Sequence, residues 1–168
     1  MTGRSTGTAA ILVAMASAAA ATPEAVEIGR FGDWRVLTGN DTTGPVCFAV
    51  TEPKETLPAG AKRDAVVLYI STWPKDGIKS EISVLLGYPA KRGGEASVTI
   101  GTTVFKLTLR DDKGYVMDPT QELKLLDAMK KGPKLLVQAI SERGTTTKDT
   151  YSLAGFTQAL QGMASACP

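Results

Sequence analysis

The chain of 168 residues predicts a mainly β domain, an antiparallel β-sandwich or barrel-like fold with two short helices, one of them C-terminal. Three observations lead there. Short runs rich in β-branched and aromatic residues recur between turn signals. Only two stretches carry apolar residues at steps of three and four, the spacing of a helix face. A composition of 43% hydrophobic and 21% charged residues suits one domain large enough to bury a core.

Residues 31–38 (FGDWRVLT) read as the first strand, followed by the loop GNDTTGP and a second strand, VCFAVTEP, around Cys47. The proline-bearing connection 53–58 and the charged AKRD lead to a third strand, AVVLYISTW, at residues 65–73. Pro74, Lys75, Asp76 and Gly77 signal a turn, since proline presets φ and glycine admits the left-handed region. SEISVLLGY then runs to Tyr88, followed by ASVTI, a tight turn near Gly101, and TVFKLTLR. In the last of these Phe105, Leu107 and Leu109 alternate with Lys106, Thr108 and Arg110, which predicts one buried and one wet face. Asp111, Asp112, Lys113 and Gly114 turn the chain into YVMD.

The first helix has its start and stop written into it. Asp118 caps it, Pro119 takes the first helical position and Gln121 lies three after the cap. Leu123, Leu126 and Met129 form its expected apolar face, Lys130 and Lys131 meet the negative end of the helix dipole, and Gly132 with Pro133 stops it. The strand KLLVQAIS follows, then the polar stretch 141–160, SERGTTTKDTYSLAGFTQAL. That stretch predicts a strand, a bend at Arg143, Gly144 and Thr145, a return strand anchored by Tyr151, and a closing helix capped by Ser152. Arg143 and Asp149 are expected to pair across the hairpin. Leu153, Phe156, Leu160, Met163 and Cys167 recur at steps of three and four, which places Cys167 on the buried stripe of the terminal helix.

The N-terminus reads differently from the domain. Arg4, an apolar run over residues 9–15 and a tail of small residues match a secretory leader, with Ala19 and Ala21 at the cleavage positions and Thr22 as the first mature residue. The expected organisation is therefore a signal peptide at 1–21, a lead-in at 22–30 and a single domain at 31–168. The apolar run is too short to span a bilayer, which takes about 20 apolar residues. Cys47 and Cys167 are the only cysteines, and in an exported domain one disulfide between them is the simplest outcome, two free thiols being the alternative. Lys and Arg total 19 against 17 Asp and Glu, interspersed in sign, so the basic stripe of a nucleic-acid binder is missing.

The catalytic inventory is thin. The chain has no histidine, which excludes Ser-His-Asp and Cys-His catalysis and every histidine-bearing metal site. No C-x-x-C pair supports thiol exchange, and KRGGEA lacks the strand-to-helix setting of a phosphate loop. Asp111 and Asp112 are paired carboxylates in number, but neighbours on a strand point to opposite sides and DDKG is turn chemistry. Ser141 has no lysine at a spacing that replaces histidine. No cofactor and no metal are expected, and no enzyme. The aromatic residues Trp34, Trp73, Tyr88 and Tyr115 are the candidates for a recognition surface, set against the ordinary reading of both tryptophans as core.

FGDW, VCFAVTEP, SEISVLLGYP, IGTTVFKL, AMKKG and above all SERGTTTKDTYSLAGFTQAL with a late cysteine resemble the invasion-associated locus B family over residues 31–167. That family comprises exported proteins of Gram-negative, mostly alphaproteobacterial, lineages. The resemblance implies a periplasmic or envelope-associated β-rich domain with cysteine bridging. Longer members carry a cysteine soon after FGDW, where this chain has Thr38 and Gly39, so it resembles the short two-cysteine branch. The family brings no catalytic residue with it. The expected role is a periplasmic or secreted binding or accessory module whose partner is an envelope protein or surface ligand, associated with the envelope peripherally rather than through a span. The alternatives are a surface-associated virulence or invasion factor and an envelope hydrolase using carboxylates.

Overall fold

The computed structural model describes residues 25–42 and 44–168, so the expected leader and its cleavage point lie outside the described residues. The strands run in chain order as β1 (Val26–Phe31), β2 (Trp34–Asn40), β3 (Pro45–Thr51), β4 (Glu55–Leu57), β5 (Val67–Trp73) and β6 (Ile78–Leu85). Then come β7 (Ala96–Ile100), β8 (Thr103–Arg110), β9 (Lys113–Tyr115), helix α1 (Pro119–Lys131), β10 (Lys134–Ile140), β11 (Thr146–Ser152) and helix α2 (Phe156–Ala166). These eleven strands make one antiparallel sheet in the order β1-β2-β3-β5-β6-β9-β8-β7-β10-β11-β4, open at β1 and β4. No described helix is long and apolar enough to cross a membrane.

The sheet curls so that the β1–β2 turn reaches the end of β11. Trp34 at the start of β2 donates its indole N–H to Ser152 O at the end of β11 (3.2 Å). Asp33 N donates to Ala154 O, and Lys54 N donates to Thr150 O. The rolled inner face is the core, built from alternate residues of each strand such as Ala49, Leu68, Ile70, Ile82, Val84 and Val137. β8 follows its predicted alternation, with Phe105 and Leu107 buried between exposed Val104, Lys106 and Thr108, while Leu109 is half-buried.

Two stretches depart from the expected elements. FGDW opens no strand: Gly32 and Asp33 form the turn of a β1–β2 hairpin, and the supposed lead-in supplies β1. VEIGRF does not announce itself as a strand, because β1 is an edge strand whose residues are all exposed or half-buried. The proline-bearing connection also hides β4, a three-residue edge strand paired to β11.

Asp118 caps α1 as expected, accepting from Thr120 N (2.7 Å) and Gln121 N (3.0 Å). The inward face is rotated from the predicted one. Glu122 Oε1 accepts from Ile82 N (2.7 Å), and the residues three, four and seven further on, Leu125, Leu126 and Met129, are the buried ones. Leu123, about 100° from Glu122 around the helix, is 66% exposed. A polar anchor to a free strand N–H sets the rotation, and apolar periodicity cannot show it.

α2 is capped by Gly155 rather than Ser152. Gly155 has φ 87° and Gly32 has φ 56°, and each packs on the other's turn. A Cβ on Gly155 would collide with Phe31 O, and one on Gly32 would lie 2.5 Å from Ala154 O. Ser152 instead holds the turn between them, accepting from Ala154 N and hydrogen-bonding the Asp33 carboxyl. Phe156 then packs its ring 4.8 Å from Trp34, and Phe156, Ala159 and Met163 enter the core. Cys167, at the C-cap, is bonded to the fully buried Cys47 of β3 across 120 residues of sequence.

Candidate ligand-binding face

The stretch with the most polar side chains commits Ser141, Thr147 and Asp149 to contacts within the fold. Ser141 is buried, and its Oγ accepts from Thr145 N (3.1 Å), closing the bend of the β10–β11 hairpin. Thr147, Asp149 and Tyr151 alternate onto the inner face of β11. Thr147 shares a 2.6 Å hydrogen bond with the Tyr88 hydroxyl. Asp149 is fully buried and pairs bidentately with Arg63 (2.6 and 2.7 Å), so the expected cross-hairpin partner, Arg143, is not the one it takes. Arg63 also donates through Nε and Nη2 to Leu86 O, and its guanidinium sits 5.0 Å from the Tyr88 ring centroid.

The Tyr88–Arg63 group floors a cleft of about 580 Å³ between the 61–64 loop and the β10–β11 bend. Burial raises the Tyr88 phenol above its ordinary range, and burial does the same, far more strongly, to Tyr151. Asp111 (φ 52°) and Asp112 occupy the β8–β9 turn and border a separate small cleft with Arg92 and Glu142. Among the described residues no three carboxylates or cysteines are grouped to hold a metal ion.

The outer face of β3, β5, β6 and β9 is different in kind. Register aligns Phe48 with Ser71 and Ser71 with Glu81 in one cross-strand row. In the next row Tyr69 faces Ser83, and Ser83 faces Tyr115. Ser71 and Ser83 are buried, small enough to form a floor, and the half-buried rings of Phe48, Tyr69, Trp73 and Tyr115 rise around them with exposed Met117. The result is a trough of about 600 Å³. Trp73 is fixed at one end, its indole N–H donating to Asp41 Oδ2 (2.8 Å). A bulge between β5 and β6 falls beside it, the kind of irregularity that re-aims a side chain.

The four aromatic candidates therefore separate. Trp73 and Tyr115 come together in the trough, and Tyr88 lines the other cleft. Trp34 is withdrawn from any surface: it is fully buried against Phe156 with its N–H satisfied by Ser152 O, a core residue. Sequence reasoning missed Phe48, Tyr69 and the serine floor, because their grouping depends on the register of four strands. Alternating Tyr69, Ser71 and Trp73 in β5 was the available signal.

Comparison with known proteins agrees with this architecture. The crystal structure of invasion associated protein B from Bartonella henselae matches with a TM-score of 0.58 at 14% identity, covering 87% of this chain and 97% of that one, a likeness of fold. No curated protein matches the sequence. The family model described as Invasion associated locus B (IalB) protein matches residues 34–164, from the first core tryptophan to the last turn of α2, and the chain belongs to that family.

Proposed function

We propose that this protein is an exported, non-catalytic binding or accessory module of the bacterial envelope, with the aromatic trough as its ligand seat. Family membership and the Cys47–Cys167 disulfide support an extracytoplasmic location, and the periplasm or the outer envelope surface is the site of action in this reading. One observation carries the binding assignment: four aromatic rings stand around a serine floor on an otherwise solvated sheet face. The commitment of Ser141, Thr147 and Asp149 to fold contacts supports the non-catalytic reading.

Purified mature protein should be retained on isolated bacterial envelopes, and Trp73→Ala should reduce that retention while leaving the unfolding midpoint nearly unchanged. Equal retention of wild type and Trp73→Ala rejects the trough as the seat. A second reading, a surface-associated invasion factor, draws on the name of the Bartonella structural neighbour. Binding of the protein to host cells, with exposure on intact bacteria, separates it from a periplasmic role.

A further inference from the structure

At the end of the trough away from Trp73, the register sets Arg110 directly opposite Lys113. Like charges in a cross-strand pair are destabilising. Neither side chain makes an ion pair among the described residues. Asp111 and Asp112, between them in the turn, border the separate cleft beside Pro89 and Ala90. The one carboxylate in the trough, Glu81, lies four residues along β6 from Leu85, the partner of Lys113, roughly 13 Å at strand rise. Two cations are thus held together without an ion pair to either, next to a row of aromatic rings, while the two carboxylates of the turn line the other cleft.

Resting on the trough as the ligand seat, we propose that it takes an acidic oligosaccharide. The C–H faces of the sugar rings lie on Trp73, Tyr69 and Tyr115, and a sugar carboxylate sits between Arg110 and Lys113. A guanidinium beside an ammonium suits a planar carboxylate. Pyranose rings are apolar on their faces and hydroxylated at their edges, which matches aromatic walls over the Ser71 and Ser83 floor. From the Arg110–Lys113 row to Trp73 is six residues along β5, about 20 Å, the length of a short oligomer rather than one sugar. An extended peptide fits less well, because such segments add to a free strand edge and the trough lies on strands paired on both sides.

The test is calorimetric titration with tetragalacturonate, a hyaluronan tetrasaccharide and 3′-sialyllactose, with maltotetraose as the neutral sugar and tetraglutamate as the anion without rings. At least one acidic oligosaccharide should bind, more tightly than either control. Its affinity should fall about tenfold or more in Trp73→Ala, which removes an aromatic stacking face, and in Arg110→Gln/Lys113→Gln, which removes the charge-assisted contacts. The same sugar should displace the protein from isolated envelopes. No binding by any acidic sugar, equal binding of maltotetraose or tetraglutamate, or affinity unchanged by Trp73→Ala overturns the proposal. If Trp73→Ala abolishes envelope retention but no acidic sugar competes, the acidic-sugar assignment falls and the trough stands. If retention ignores Trp73→Ala, the trough falls too.

Discussion

Asp149 shows how a polar residue in a suggestive motif becomes part of a core. Its carboxylate is fully buried and its partner Arg63 is nearly so, 86 positions away in sequence. Removing one member of such a pair strands the other charge, so Asp149→Ala should destabilise by about 3–5 kcal/mol in urea unfolding. Ser141→Ala, which loses one neutral hydrogen bond, should cost only about 0.5–1.5 kcal/mol. Glu122 makes the opposite kind of prediction. Burial, and the nearby Glu81, raise its carboxyl above the usual range, against the pull of the Ile82 N–H. A carboxyl raised on folding contributes most below its unfolded pKa, and that contribution is lost as pH rises through the folded value. Glu122→Gln keeps an acceptor for Ile82 N without the charge. It should unfold at a higher temperature than wild type at neutral pH, with the gap closing near about pH 3, where the wild-type carboxyl is protonated. Neither residue's role was legible in the sequence, since both depend on partners from distant strands.

Among the elements, the turns carry more of the fold than their composition suggests. The β1–β2 turn and the β11–α2 turn press their backbones together at Gly32 and Gly155, and Lys54 and Ser152 hold the Asp33 carboxyl below its usual range beside them. FGDW and SLAGF are thus two halves of one contact. Gly155→Ala should be destabilised by at least about 2 kcal/mol, from left-handed strain together with collision against Phe31, as read by thermal unfolding. Local signals revealed much at this scale. The Asp118–Pro119 start of α1, the alternation of β8 and the β10–β11 bend were all visible. β1 and β4 were not, because short polar edge strands lack an apolar face to announce them.

For the molecule as a whole, the disulfide ties the C-terminus to β3 and closes a loop spanning most of the domain. Cys47→Ser should lower stability by about 2–5 kcal/mol, and non-reducing mass spectrometry of the native protein should find no alkylatable thiol. The pairing was legible from two cysteines in a chain whose sequence reads as exported. The trough was not, because it exists only once β3, β5, β6 and β9 take their register. Its two ends, aromatic at Trp73 and cationic at Arg110 and Lys113, belong to residues no sequence window brings together.

The chain's two tryptophans divide cleanly between core and trough, which makes ligand binding at the trough directly observable. Tryptophan emission should be followed while solubilised envelope fraction is titrated into wild-type protein and into Trp73→Phe. A saturable change in the wild type that disappears in Trp73→Phe, with Trp34 emission constant, is the predicted result. The same change persisting in Trp73→Phe, or no change while the protein is demonstrably bound to envelope material, would place the ligand elsewhere on the molecule.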